Sequence, residues 1–204
     1  MREVSFQEAL GVLSRGEILV YPTETVYGLG VRIDEPRAVA GLFRLKGREA
    51  AKAVSVLVSS RAQLQKMVLQ LNDNLSNLID KFLPGPLTLV LPAGPAVPAE
   101  LLSEGKWVGL RWSSHPTAQS LVEAFGTPIT TTSANPSGAP AARDPETVKG
   151  YFEEREDISF LSGGALPPSP GSTVVRVAGN RLELLRAGAI PFADLVTAFG
   201  VQGS

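Results

Sequence analysis

Short apolar runs separated by amphipathic stretches of helical length constrain this chain more than any other feature. Ile18–Tyr21, Ala53–Val58, Leu87–Leu91, Val108–Trp112 and Ile129–Thr132 are each bounded by turn residues. They are too short for helices and too apolar for surface loops, so they read as buried strands. Between them lie helical signals. Ser5-x-x-Glu8 is a capping box ahead of Leu10, Val12 and Leu13, and Gly16 ends that helix. Asp34 can cap a second helix with Val39, Leu42, Phe43 and Leu45 on its inner face. Helical stretches follow around Leu64–Val68 and Leu75–Phe82, and Pro84-Gly85-Pro86 breaks the latter. Pro116 opens a helix that runs to Phe125, and Asp144-Pro145 opens another. Thr23–Gly30, Pro92–Gly105 and Gly163–Ser172 read as loops, and Ala178-Gly179-Asn180-Arg181 as the turn of a hairpin between Val174–Val177 and Leu182–Leu185. Strands and helices alternate without a strict parallel-crossover rhythm. The expectation is an α/β fold with a mixed sheet, and residues 1–204 as a single domain.

Several chemistries are excluded. With no cysteine there is no disulfide, thiolate metal site or cysteine nucleophile, and the one histidine, His115, cannot build a metal cluster. His115 precedes Pro116 at a helix entrance, a structural position. No phosphate-binding P-loop, zinc-protease helix or serine-hydrolase elbow is present, and Gly28-Leu29-Gly30 lacks the third glycine of a dinucleotide fingerprint. A net charge of −1 projects no global field toward nucleic acid. No apolar run approaches the roughly 20 residues of a membrane span, and the N-terminus has no signal core. A soluble, cytoplasmic protein is expected.

Three segments offer chemistry. Tyr21–Gly30 places the hydroxyls of Thr23 and Thr25 beside Gly28 and Gly30 at the end of a strand, which is either an ordinary turn or a donor-rich site that a ligand approaches closely. Lys46-Gly47-Arg48 with Lys52 either complements a helix C-terminus or holds phosphates. Thr130–Gly138 is a dense run of small hydroxyl and amide groups, either a polar loop or an anion cradle. Together they suit the binding and orientation of anionic reactants with no dedicated nucleophile.

In order and spacing, Y-P-T-E-T-V-Y-G-L-G (from Tyr21), K-G-R (from Lys46), P-G-P-L-T (from Pro84), S-A-N-x-S-G (from Ser133), G-S-T-V-V (from Gly171) and R-x-G-A-I (from Arg186) resemble the YrdC/Sua5 family over about residues 6–190. The resemblance implies an open, twisted sheet with a concave basic groove. It also implies a nucleotidyl transfer that makes threonylcarbamoyl-AMP and pyrophosphate from L-threonine, bicarbonate and ATP with Mg²⁺. Downstream threonylcarbamoyl-transfer proteins then use the product to modify adenosine 37 of tRNA. By matching position, Thr25 and Thr23 would meet threonine, Arg111 its carboxylate, and Ser172 its threonyl part. Arg48 and Lys52, with Lys46 beside them, would neutralise the phosphates, Lys46 and Arg48 being the catalytic pair. Thr131, Ser133 and Asn135 would line the adenylate pocket, and Arg186 would meet the nucleotide. No resident metal site is implied.

The sequence also departs from the family's commoner pattern. Glu49 and Ala53 replace prolines, Leu57 a histidine, Trp107 a threonine, Ala141 a serine and Arg176 an aspartate. The chain stops soon after R-x-G-A-I, like the family's short form. Two rival readings remain beside the synthase. One is a non-catalytic module of the same fold that binds tRNA or double-stranded RNA; the other is a divergent paralogue with another carbamoyl or nucleotide substrate.

Overall fold

The computed structural model describes residues 1–47, 54–104 and 106–200. In chain order, β1 (Arg2–Glu3), α1 (Phe6–Ser14), β2 (Ile18–Tyr21), β3 (Gly28–Gly30) and α2 (Pro36–Lys46) come first. They are followed by β4 (Ser55–Leu57), α3 (Arg61–Met67), α4 (Asp73–Phe82) and β5 (Leu87–Pro92). A 3-10 turn at Ala99–Leu101 leads to β6 (Trp107–Arg111), α5 (Pro116–Phe125), β7 (Ile129–Ser133), α6 (Pro145–Phe152) and β8 (Ile158–Phe160). The chain closes with β9 (Thr173–Ala178), β10 (Arg181–Arg186) and α7 (Phe192–Phe199).

Helix starts follow the local chemistry. Ser5 and Glu8 form the reciprocal cap of α1, Ser5 N donating to Glu8 Oε2 at 2.8 Å and Glu8 N to Ser5 Oγ at 3.3 Å. Asp144 caps α6. His115 caps α5 through Nδ1, which accepts from Thr117 N at 3.2 Å. Asp34 does not cap α2. Arg32 grips both its oxygens, at 2.6 and 2.8 Å, so the cap passes to Glu35 and Pro36 takes the first helical position.

The strands form one sheet in the order β1-β8-β2-β3-β7-β4-β6-β5-β9-β10. Pairings β1–β8, β8–β2, β4–β6 and β5–β9 are parallel and the rest antiparallel, which makes the sheet mixed. β3 is a correction, because Gly28–Gly30 is not loop but a strand between β2 and β7. Its glycines make room for a ring: a Cβ on Gly30 would lie 2.8 Å from Tyr21 Cε1 and 2.9 Å from Thr130 O.

Strand alternation divides the molecule. Ile18 and Val20 of β2 join a large apolar cluster with Leu42 of α2, Leu64 of α3, Leu78 of α4 and Leu195 of α7. Leu19 and Tyr21 face the other way, into a smaller cluster with Leu13 of α1 and Leu121 of α5. Farther along the sheet, Leu87, Leu89 and Leu91 of β5, Val108 and Leu110 of β6 and Val175 and Val177 of β9 all belong to the large cluster. Their alternates, Thr88, Gly109, Arg111 and Val174, are outside both clusters. One face of that half-sheet is sealed by core, and the opposite face carries the site.

Candidate active site

The alternate residues of β4, β5, β6, β7 and β9 line a cavity of about 660 Å³. Thr23, Thr25 and Gly28 close one side, and Pro140, Ala141, Arg143, Ser169–Ser172 and Arg186 reach it from loops and from β10. Its wall among the described residues holds three guanidinium groups, those of Arg111, Arg143 and Arg186, and no carboxylate.

The loop after β2 is braced by Thr23. Its Oγ1 donates to Val26 O at 2.6 Å and accepts from Thr25 N and Val26 N, both at 3.2 Å. A hydroxyl has one hydrogen, and that of Thr23 goes to Val26 O. In the 3.1 Å contact between the two threonine hydroxyls, Thr25 is therefore the donor, which leaves the Thr25 oxygen as an acceptor on the cavity wall.

Arg111 ends β6 almost fully buried, at 4% exposure. Nη1 donates to Gly85 O and, at 3.1 Å, to Leu87 O; Nη2 donates to Glu24 Oε1, and Ser113 Oγ donates to Glu24 Oε2. Burial pushes the Arg111 guanidinium below its ordinary pKa, and Glu24 pulls the other way. Arg111 thus meets the cavity as a charge already held in place by Glu24, Gly85 and Leu87.

Lys46 and Asn135 are the second correction. Neither side chain lines the cavity. Lys46 is 1% exposed, and its Nζ donates to Ser133 O at 2.8 Å, Asn135 O at 2.7 Å and Asn135 Oδ1 at 2.9 Å. These acceptors hold the ammonium against the turn after β7. Asn135 Oδ1 also accepts from Ser133 Oγ at 2.6 Å, and its Nδ2 donates to Ala139 O. The pair shapes the turn after β7, leaving Thr131 and Ser133 on the wall.

On the β9–β10 side, Arg186 donates from Nη2 to Ser172 Oγ at 2.8 Å and to Ser172 O at 2.9 Å, and Ser172 Oγ lies 2.9 Å from Thr88 Oγ1. Arg48 and Lys52, with the departures Glu49 and Ala53, lie outside the described residues. Of the expected site residues, Thr23, Thr25, Arg111, Thr131, Ser133, Ser172 and Arg186 share the cavity. The sequence reading missed Ser55, Thr88 and Arg143 on the wall, and Glu24 behind it. The polar phase of otherwise apolar strands marks Ser55 and Thr88, whereas Glu24 was visible only as part of a motif.

The remaining departures fall in three settings. Leu57 is core, packed in the smaller apolar cluster. Ala141 lines the cavity. Trp107 and Arg176 meet each other in a separate recess, the guanidinium carbon 5.1 Å from the ring centroid. Among the described residues no group of three or more His, Asp or Glu is placed to hold a metal, and no helix is long and apolar enough to cross a membrane.

With this geometry in hand, comparison with known proteins is decisive. The Sua5/YciO/YrdC family model, described as "Telomere recombination", matches residues 11–188. The chain belongs to this family. It is 35% identical over 187 residues to the threonylcarbamoyl-AMP synthase of Vibrio cholerae, covering 90% of this chain and 97% of that one. It is 32% identical over 200 residues to the threonylcarbamoyl-AMP synthase of Pyrococcus abyssi, covering 98% of this chain but only 58% of that longer relative. The crystal structure of P. abyssi Sua5 complexed with L-threonine superposes with a TM-score of 0.88 at 30% identity, over 98% of this chain and 60% of that one. As a Sua5/YciO/YrdC member the chain thus carries the family's α/β fold across nearly its whole described length.

Proposed function

We propose that this member is a threonylcarbamoyl-AMP synthase, consuming L-threonine, bicarbonate and ATP. One observation carries the reading: residues from eight separated segments converge on a hydroxyl-lined cavity with three guanidiniums and no carboxylate on its described wall. Such a wall suits a polyanion, and the site has no cysteine and no histidine to serve as nucleophile. The names of its relatives supply the substrate class.

The chemistry is a capture followed by an adenylyl transfer. Bicarbonate gives carbon dioxide by losing hydroxide; the threonine amine attacks the carbon, an N–C bond forms as one C=O π pair moves onto oxygen, and the nitrogen's proton passes to the hydroxide as water, leaving a carbamate. A carbamate oxygen then attacks the α-phosphorus of ATP, and the bond to the β-phosphate oxygen breaks with its electron pair leaving on pyrophosphate. Thr25 offers lone pairs to the amine, and the fixed charge of Arg111 faces the amino acid's carboxylate. Thr131 and Ser133 border the adenylate. Arg186 meets the nucleotide from the β10 side, with Arg48 and Lys52 at the phosphates. Lys46 acts through the turn it holds. Mg²⁺ would enter with ATP as part of the substrate and would shield the charge of its phosphates. The product would serve tRNA modification, with the cytoplasm as the expected compartment.

The test is pyrophosphate release by the full chain with Mg²⁺, omitting one substrate at a time. Release is expected only with threonine and bicarbonate both present and with no RNA added. Release that ignores threonine would indicate a paralogue, and salt-sensitive RNA binding with no release would indicate a binding module.

A further inference from the structure

The three cavity arginines are not equivalent. Arg111 is bonded to Glu24, Gly85 and Leu87, and Arg186 to Ser172. The third, Arg143, is exposed, and among the described residues its side chain makes no hydrogen bond or ion pair. Its neighbour Asp144 feels its charge but forms no hydrogen bond or close ion pair with it, since that carboxylate accepts from Thr147 N and Thr147 Oγ1, each at 2.8 Å. Yet its backbone is pinned. Leu166 N donates to Arg143 O at 2.7 Å, Tyr27 N donates to Ala142 O at 2.9 Å, and Ala142 is fully buried. A backbone held by these bonds therefore carries an exposed guanidinium to the wall of the cavity.

We propose that Arg143 holds the terminal phosphates of the nucleotide and accompanies pyrophosphate as it leaves, an assignment that rests on the synthase reading above. The amino-acid end of the cavity is the buried one, at Thr25 and Arg111, both 4% exposed. Charge that builds on the leaving group as the α-phosphorus bond breaks has to be met nearer solvent, where the product departs. A planar, permanently charged fork matches two phosphate oxygens at once. A side chain with no protein partner can move with the product, which a buried and fully bonded Arg111 cannot do.

Calorimetric titration of the full chain with Mg-pyrophosphate, AMP and L-threonine, for the native protein and for Arg143→Ala and Arg143→Lys, tests this directly. Arg143→Ala should weaken pyrophosphate by roughly tenfold to a hundredfold while AMP and L-threonine stay within about twofold, since a charge-assisted contact is lost from one ligand only. Arg143→Lys should recover part of the loss, as a point charge without the fork. Unchanged pyrophosphate affinity in Arg143→Ala, with the native protein binding normally, overturns this assignment and leaves the synthase reading standing. An equal loss for AMP also overturns it, because it moves Arg143 to the α-phosphate. A native protein that binds none of the three ligands brings down both readings together.

Discussion

Arg111 and Arg143 line the same cavity and differ in nearly everything else. The first is buried, bonded to a carboxylate and two carbonyls, and unable to turn; the second is exposed, and its side chain makes no hydrogen bond among the described residues. The contrast separates two ways of presenting positive charge. A buried guanidinium is tolerable only with its partners in place, and once placed it needs no reorganisation when substrate arrives. An exposed one costs the fold nothing but must be ordered by its ligand, so its effect is felt in binding rather than in stability. On this view the Arg111 side of the cavity belongs to the fold and the Arg143 side to the ligand.

Substitutions can break that contrast, beginning with the largest effect. Glu24→Ala strands the Arg111 guanidinium in the interior and should destabilise the protein by about 3–5 kcal/mol in chemical denaturation, besides abolishing turnover. A small loss of stability there would show that Arg111 does not depend on its carboxylate. Lys46→Met removes the donor to Ser133 O, Asn135 O and Asn135 Oδ1 and should cost about 2–3 kcal/mol. It should also lower kcat although Lys46 is off the cavity wall, because the turn carrying Ser133 loosens. Full stability with kcat alone reduced would instead return Lys46 to direct contact with the phosphates.

Much of this contrast was invisible in the chain. The longer apolar strands and the capped helices α1, α5 and α6 were legible, the helices because Ser5-x-x-Glu8, His115-Pro116 and Asp144-Pro145 are local signals that their own backbones satisfy. Asp34 misled because a residue two positions earlier competes for it, and β3 was hidden because its glycines are explained by the Tyr21 ring rather than by their own neighbours. β1, β8 and α7 were not anticipated; the two strands span only 2 and 3 residues and take their place from pairing with partners far along the chain. At the site, motif order identified seven cavity residues, whereas the inward turn of Lys46 and Asn135 depends on contacts across 87 and 89 positions.

Smaller effects sharpen the account. Arg186→Ala should weaken nucleotide binding by about tenfold to a hundredfold with little change in melting temperature, read by titration and thermal denaturation. His115→Ala should cost about 1 kcal/mol through loss of the α5 cap. Burial holds the folded imidazole below its ordinary pKa of 6.5, against the opposing pull of Glu24, and the cap needs Nδ1 unprotonated. The His115 contribution is therefore complete above that pKa and declines as pH falls below it, so native stability should drop between pH 7 and 5 more than that of His115→Ala. Smallest is the Trp107–Arg176 pair. A double-mutant cycle with Trp107→Thr and Arg176→Ala should give a coupling of about 0.5–1 kcal/mol in stability, and additivity would mean the two departures are unconnected.

The central claim is that this cavity joins a carbon from bicarbonate to threonine before the nucleotide is opened. Mass spectrometry of the product formed from ATP, L-threonine and carbon-13 bicarbonate tests it most directly. The account predicts an adenylate that contains both threonine and one heavy carbon, formed in step with pyrophosphate. A threonyl adenylate without the label, or AMP alone, would contradict it, since either would mean that the nucleophile at the α-phosphorus was not the carbamate.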